Sequence, residues 1–319
     1  MRPARRPGAA SVGVTPDPPV KVLYIAGVSH CGSTILGTVL GQIEGFFFAG
    51  ELAHTSLLLG RDGPCSCGAP LATCPVWREI FHAAFGERTD GLKPGLLGLS
   101  HADERAVAVL RHMLRERGLY PSSREVERAR AAFLETLRAI RSTTSSRVIV
   151  DSSKSPAYGW LLQSTQAVDL HVLHLVRDPR ATAWSWRESP DQPWGPTTLA
   201  LIWNVWNSTI ELLWGRSRAR YFRLRYEDFA RRPDASVRRI LDFVGESQAQ
   251  SPVTTDSTVD VRETHSVAGN RNRFRTGPVQ VALDERWLSG DGLPGRRRLD
   301  ALTRPLRARY HYAGRERSG

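Results

Sequence analysis

A glycine-rich turn near the start of the chain has the residue types of an anion-binding loop. Residues 27–34 read GVSHCGST; they close the apolar run 22–27 and lead into a helix predicted over 33–41. Backbone N–H groups in such a turn, together with the helix N-terminus, bind phosphate or sulfate groups. The alternative is a plain strand-to-helix turn capped by Ser33 or Thr34.

The turn lacks the lysine that nucleoside triphosphatases use. Their loop reads GxxxxGK[ST], and its lysine contacts the β- and γ-phosphates. Gly27 and Gly32 keep the glycine spacing, but Ser33 occupies the lysine position. The sequence therefore disfavours hydrolysis of ATP or GTP. A P-loop-type kinase acting on a small molecule is the alternative, and Asp151 is the carboxylate that would hold its Mg²⁺.

Polar residues also follow the other predicted strands. Apolar runs at 45–50, 148–150 and 171–176 end at Glu51, at the segment 151–154 and at Arg177. Ligands of open parallel sheets bind outside the carboxyl ends of the strands. We therefore expect these side chains to meet the glycine-rich turn at one edge of a sheet.

The alternation of strands and helices predicts an α/β fold with an open, mostly parallel sheet flanked by helices. A late strand is predicted at 220–225, and residues 247–278 are predicted to be a polar, loop-like segment. We expect residues 1–19 to be a disordered leader and 20–319 to be a single domain with a helical insert at about 61–145. Helices are predicted over 76–86, 102–117, 123–142, 179–188, 197–215, 234–245 and 296–310.

Composition narrows the class of protein. The chain has 319 residues, a formal net charge of +12 and an apolar fraction of 41 %, which excludes a disordered chain and a multispanning membrane protein. The basic residues are 41 arginines and three lysines, a skew that indicates compositional bias rather than a nucleic-acid partner. No apolar run is long enough to span a membrane or to serve as a signal sequence. We therefore expect a cytoplasmic protein.

Residues 30–34 (HCGST) resemble the 5′-phosphosulfate loop, [RK]SG[TS]T, of sulfotransferases that use 3′-phosphoadenosine 5′-phosphosulfate (PAPS). The departure is His30, because a lysine or arginine is usual there; a histidine can still donate to a sulfuryl oxygen, with a more pH-dependent effect. The resemblance implies the three-layer architecture of P-loop NTPases. It also implies that the backbone and side chains of residues 29–34 hold the donor: Ser29, His30, Cys31, Gly32, Ser33 and Thr34.

Two further segments match this family. An arginine at a strand end and a serine eight residues later hold the 3′-phosphate in sulfotransferases, and Arg177 and Ser185 have that spacing. A guanidinium group grips phosphate with two hydrogen bonds. Residues 265–270 (HSVAGN) resemble the late loop that closes over the nucleotide in bacterial members, which implies donor contacts from Ser266 and Arg273.

The resemblance implies an in-line transfer of the sulfuryl group to a hydroxyl or amine, with adenosine 3′,5′-bisphosphate as the other product and no metal. Glu51 is the expected base, because related enzymes carry Gly-Glu here; His54 is its rival, because cytosolic sulfotransferases use a histidine. Lys154 and His30 are expected to stabilise developing charge. We expect the charge of the bound nucleotide to raise the pKa of Glu51.

The acceptor side is less defined. Trp194, in the Pro-rich break 189–196, is a candidate for the acceptor pocket, as is His54. The acceptor is expected to be a small molecule, a carbohydrate or a peptide, not a nucleic acid; a non-catalytic basic binding protein is a further alternative.

Three cysteines of the loop 61–75 have a spacing that admits two chemistries. Cys65, Cys67 and Cys74 could bind zinc with one histidine, and His54 and His82 are the nearest in sequence. A disulfide between Cys74 and either Cys65 or Cys67 is a second alternative. We favour a structural or acceptor-facing loop without metal.

Overall fold

A five-stranded parallel sheet forms the centre of the molecule. The computed structural model describes residues 17–86, 124–187, 195–289 and 293–312. The strands lie in the order β2-β3-β1-β4-β5, and every neighbouring pair is parallel. Their bounds are β1 Val20–Gly27, β2 Phe46–Gly50, β3 Val148–Lys154, β4 Val168–Val176 and β5 Tyr221–Arg225.

Helices cover both faces of this sheet, which explains why the central strands are almost continuously apolar. They are α1 Ser33–Leu40, α2 Thr55–Leu59, α3 Pro75–Phe85, α4 Arg124–Thr144, α5 Pro156–Gln163, α6 Pro179–Arg187, α7 Pro196–Trp214, α8 Tyr226–Arg231, α9 Pro233–Phe243, α10 Arg286–Ser289 and α11 Arg296–Arg309. One core contains residues of α3, α4, α5 and α7, and the other contains residues of α1, α8 and α9.

The first helix packs very closely on the sheet, which brings its N-terminus to the strand ends. A Cβ atom at Gly37 would lie 2.2 Å from the ring of Phe48 on β2. Only a residue without a side chain allows this approach. The turn before α1 is therefore fixed from both sides, by β1 and by the packing of α1.

Most predicted elements are present within two or three residues of their predicted bounds. The prediction of a loop over 247–278 was wrong in part, because Thr258–Val261 pairs antiparallel with Gly277–Gln280 as β6 and β7. Four-residue strands in a polar context carry too little hydrophobic periodicity to be recognised. The predicted helix 102–117 lies outside the described residues, as does most of the predicted leader. In the described part of the chain, every helix is too short or too polar to span a membrane.

Candidate active site

Four strand ends and one distant loop meet at the carboxyl edge of the sheet. Glu51 follows β2, Lys154 ends β3, the turn 28–32 follows β1 and Arg177 follows β4. Neighbouring strands in the order β2-β3-β1-β4 place these residues side by side. The prediction that the side chains meet at one edge is confirmed.

Glu51 and Lys154 form a direct ion pair. Lys154 Nζ donates to Glu51 Oε1 at 2.5 Å and to the Ser152 carbonyl at 2.9 Å. Both side chains are largely buried, with exposed fractions of 12 % and 8 %. His54 Nδ1 lies 3.1 Å from the other carboxylate oxygen. Both oxygens of Glu51 therefore face a nitrogen.

These partners set the protonation state of Glu51. Burial raises the pKa of Glu51, but Lys154 and His54 outweigh burial and lower that pKa to about 2. The sequence-based expectation was that the negative charge of the bound nucleotide raises the pKa of Glu51. The protein's own partners act in the opposite direction and keep the carboxylate ionised.

Lys154 reaches Glu51 because the end of β3 is irregular. The register against β1 shifts between Tyr24 and Ala26, and Lys154 has a left-handed φ of 68°. Such a φ is uncommon for a residue with a side chain. It turns the lysine out of the strand direction and toward β2.

Asp151 hydrogen-bonds within its own strand end, to Ser153. It accepts hydrogen bonds from the amide and hydroxyl of Ser153, at 2.8 and 2.5 Å. Asp151 is fully buried, and burial raises its pKa to about 6, against the opposing effect of Ser153. A fully buried carboxylate that already accepts two hydrogen bonds from Ser153 is poorly placed to hold a Mg²⁺ ion beside bound ATP, which weighs against the kinase alternative.

The glycine-rich turn has two left-handed residues, His30 at φ 66° and Gly32 at φ 95°. A Cβ atom at Gly32 would lie 2.4 Å from the ring of Tyr226, so glycine is required on both grounds. Leu36 N–H donates to the Gly32 carbonyl at 3.2 Å, which starts α1 at this point. The local geometry is that of an anion-binding turn at a helix N-terminus.

His30 connects the turn to Arg177 and Ser185. Its Nδ1 lies 2.9 Å from Ser185 Oγ, and its carbonyl accepts a hydrogen bond of 3.0 Å from Arg177. Burial, followed by the charges of Arg177 and Lys154, lowers the pKa of His30 to about 4. The imidazole is therefore neutral near pH 7, unlike the lysine or arginine of the related loops.

Arg177 is buried, and its ion-pair partner, Asp284, lies far from it in the sequence. Its guanidinium group stacks on the ring of Tyr226 at 4.6 Å and lies 3.3 Å from Asp284. The neighbouring Arg180 instead pairs with Asp178, at 2.7 Å and with almost no exposure. The second arginine of this segment is thus structural.

The late loop lies over Glu51; the resemblance had implied that this loop covers the nucleotide. Glu51 N–H donates to the Val267 carbonyl at 2.7 Å, and Val267 N–H donates to the Ala49 carbonyl at 2.8 Å. A Cβ atom at Gly269 would lie 3.3 Å from Thr34 Oγ1 and 3.4 Å from Glu51 Oε1. One glycine therefore touches both the turn and the expected base.

Arg273 and Ser266 are buried in the same loop. Arg273 donates to the carbonyls of Ser266 and Pro64, both at 3.0 Å, and burial lowers its pKa. Ser266 N–H donates to Ser66 Oγ at 2.7 Å. These contacts tie the late loop to the cysteine loop. Trp194 lies outside the described residues.

The cysteine loop contains free thiols. Cys31, Cys65, Cys67 and Cys74 form no disulfide, so neither predicted pairing is present. The histidine beside them is His265, not His54 or His82. Sequence reasoning missed it because it lies 200 positions after Cys65.

Two further residues of the site were not predicted, Tyr226 and Asp284. Tyr226 directly follows the last residue of β5, so the rule that strand ends face the site could have identified it. Asp284 lies in an irregular segment before α10, and no sequence pattern marks it.

Two solved structures are similar to this chain over most of their length. The chain resembles the sulfotransferase domain from the curacin biosynthetic pathway, with 15% identity, 93% of this chain and 99% of that chain covered and a TM-score of 0.50. The sulfotransferase domain of the Synechococcus PCC 7002 olefin synthase has 20% identity, coverage of 93% and 96% and a TM-score of 0.46. No curated protein matches the chain.

The family assignment rests on a match over most of the chain. A model of the sulfotransferase family matches residues 23–250, a range that begins within β1 and contains the glycine-rich turn, Glu51, Lys154, Arg177 and Ser185. The match covers most of the chain, including β1 from Leu23 onward and all of the other four strands of the main sheet. The chain belongs to the sulfotransferase family and is a sulfotransferase.

Proposed function

We propose that the protein transfers the sulfuryl group of PAPS to a hydroxyl or amine acceptor, with Glu51 as the base. The observation that carries this proposal is the buried ion pair between Glu51 and Lys154. It lies beside an anion-binding turn that has no lysine of its own. A base and a cation are then available at the place where a sulfuryl group would lie.

The turn supplies the donor site. Backbone N–H groups of residues 29–34 and the N-terminus of α1 would hold the sulfate and the 5′-phosphate. Ser33 and Thr34 add hydroxyl groups, and neutral His30 adds a ring nitrogen. Because charge is largely absent from this turn, Lys154 and Arg177 would provide the balancing positive charge.

Arg177 and Ser185 would hold the 3′-phosphate. Both already contact His30, so the three residues form a connected group. Asp284 now lies beside the guanidinium group, and a phosphate would replace it as the stronger acceptor. Ser266 and Arg273 would contribute by holding the late loop, since the hydrogen bonds of Arg273 go to loop carbonyls.

A cleft next to Tyr226 would take the adenosine. Its volume is about 180 Å³. It begins at the same tyrosine ring on which Arg177 stacks, so it continues from the 3′-phosphate position. The lining residues include Ile35, Thr38, Tyr226, Arg275 and Gln280.

In the transfer, the acceptor oxygen or nitrogen would attack sulfur while the bond from sulfur to the bridging oxygen breaks. Glu51 would take the acceptor proton, and Lys154 would move its hydrogen bond to the bridging oxygen. When Glu51 loses the hydrogen bond from Lys154, its pKa rises, and the carboxylate becomes a stronger base at the step in which it takes the acceptor proton. Adenosine 3′,5′-bisphosphate and the sulfated acceptor leave, so atoms and charge balance.

His54 has the geometry of a positioning residue in this scheme. It lies 3.1 Å from Glu51 Oε2, whereas Lys154 contacts Oε1. Its hydrogen bond would fix the carboxylate plane while the proton moves. Should His54 be the base, its substitution would cost more activity than that of Glu51.

The test is binding of adenosine 3′,5′-bisphosphate by calorimetry, without added metal. Arg177→Ala and Ser185→Ala should weaken binding, while Arg238→Ala, on the exposed face of α9, should not. A pooled-acceptor screen with labelled PAPS then reports transfer. Failure to bind the bisphosphate, together with Mg²⁺-dependent binding of ATP, would overturn the proposal.

A further inference from the structure

Three thiols and one imidazole converge behind the late loop. Cys65, Cys67, Cys74 and His265 each offer one ligand atom, and these four atoms all lie within 4.8 Å of one another. Cys65 and Cys74 are fully buried. The proposed sulfuryl transfer uses none of the four residues.

The spacings are those of a metal tetrahedron. Cys67 Sγ lies 3.7 Å from Cys74 Sγ. His265 Nδ1 lies 3.4 Å from Cys74 Sγ and 3.9 Å from Cys65 Sγ. Ligands at the usual Zn–S and Zn–N distances are about 3.5 to 3.8 Å apart when their arrangement is tetrahedral. The sulfurs are too far apart for a disulfide bond.

Backbone N–H groups lie near two of the thiols, that of Cys67 near Cys65 and that of Trp77 near Cys74. They oppose the burial that raises the pKa of both thiols. Cys74 is also the N-cap of α3, where the helix dipole favours negative charge. Gly68, at φ 89°, closes the tight turn after Cys67.

The histidine is held from its other side. His265 Nε2 lies 3.6 Å from the Glu263 carboxylate, and Trp77 Nε1 donates to the His265 carbonyl at 2.6 Å. A ligating histidine usually directs its second ring nitrogen to a carboxylate or carbonyl. His265 has this arrangement, because its Nδ1 faces the thiols and its Nε2 faces the Glu263 carboxylate.

We propose that Cys65, Cys67, Cys74 and His265 bind one structural Zn²⁺. Three soft sulfur ligands and one imidazole select zinc among the common divalent ions. With four protein ligands the coordination is complete, so the ion has no open position for catalysis. Each thiol releases its proton to solvent as the ion binds.

The ion would position the base from a distance. His265 is two residues before Val267, whose backbone pairs with Ala49 and Glu51. The cysteine loop is joined to the same segment through Ser66 and Arg273. Zinc would thus fasten the late loop to the end of β2. This departs from the metal-free loop favoured by the sequence alone.

The first measurement is the metal content of the full chain, purified without chelators. We expect about one zinc per chain, released when the thiols are titrated with a mercurial reagent. His265→Ala and Cys67→Ser should lose most of it. His82→Ala and Cys31→Ser are the matched controls and should retain it. Glu263→Gln should weaken zinc binding about tenfold.

Cobalt provides a readout that does not depend on variants folding or on sulfuryl transfer. Adding Co²⁺ to the apo chain should give the visible bands of a tetrahedral thiolate site, and Zn²⁺ should remove them. Absence of these bands from the folded wild-type chain, with Cys65, Cys67 and Cys74 reduced and free to react, would overturn the proposal. So would a Cys67–Cys74 disulfide found by mass spectrometry in the metal-free chain.

Discussion

Lys154 and Glu51 share a hydrogen bond of 2.5 Å, although they end two different strands and lie 103 positions apart in the chain. The lysine needs a left-handed backbone to make it, and the carboxylate is held on its other oxygen by His54. The ion pair keeps Glu51 ionised, so that it can accept a proton. Lys154 lies next to it, and the negative charge of a bound donor would draw the lysine toward the donor.

Replacing Glu51 by Gln should separate catalysis from binding. We expect turnover to fall by about 10²- to 10⁴-fold, the usual contribution of a general base, with little change in affinity for adenosine 3′,5′-bisphosphate. His54→Ala should reduce turnover by about tenfold or less. Steady-state rates and calorimetry on both variants check this; a larger loss in His54→Ala would reverse the two roles.

Replacing Lys154 by Ala should raise the pKa of Glu51, because Lys154 is the largest of the effects that lower it. The pKa should then move upward from about 2, because burial is opposed mainly by His54. Turnover should also fall, by about 10²- to 10³-fold, through loss of charge stabilisation. Carboxylate titration by ¹³C NMR measures the shift, and an unchanged pKa would show that the pair is not formed in solution.

Replacing Arg177 by Lys tests the geometry of the 3′-phosphate site rather than its charge. Lysine keeps the positive charge but loses the two-pronged grip and the planar stacking on Tyr226. We expect affinity for the bisphosphate to fall by about tenfold to a hundredfold. Affinity for the 5′-monophosphate, which lacks the 3′ group, should change much less. Equal losses of affinity for the two nucleotides would show that Arg177 does not bind the 3′-phosphate.

Gly269 should not tolerate a side chain. Alanine there combines a φ of 97° with close contacts to Thr34 and Glu51, so turnover should fall by tenfold or more, in order of magnitude. Gly245→Ala is the matched control, because Gly245 has a φ of 73° with nothing within 4 Å of the added atom. Gly245→Ala therefore has the same kind of backbone strain but no close contact with other residues. Equal activity of the two variants would remove the late loop from the site.

Buried His174 should make the protein less stable as the pH falls. Burial lowers its pKa to about 4, against the hydrogen bond that His174 Nε2 makes to Asn207 Oδ1. Between pH 6.5 and 4 the unfolded chain takes up a proton that the native chain does not, so the stabilisation present at pH 7 is lost as pH falls. One such histidine costs about 2 kcal/mol at pH 5. Denaturant unfolding of the wild type and His174→Gln at both pH values measures this, and parallel pH profiles would contradict it.

The sequence predicted the parts of the site that depend on strand ends. Glu51, Lys154 and Arg177 follow apolar runs, and parallel strands bring such ends together whatever the details of packing. It could not predict the ion pair, because the register shift before Ala26 and the left-handed Lys154 arise from packing between strands. The pKa of Glu51 follows from those contacts and was equally inaccessible.

Contacts between distant segments account for the other omissions. Cys65, Cys67 and Cys74 were visible as a spacing, but His265 joins them only through the path of the late loop. The strands β6 and β7 were missed for a similar reason, since each is stabilised by its partner rather than by its own pattern.

The backbone pairing of Glu51 with Val267 joins segments that are synthesised at very different times. The turn, the sheet and Arg177 all precede residue 226, so these parts of the site are synthesised before the late loop. The carboxylate is fixed only when Val267 has joined β2. A nascent chain would thus contain the anion-binding turn before it contains the segment that positions the base, and contacts of such long sequence separation form slowly.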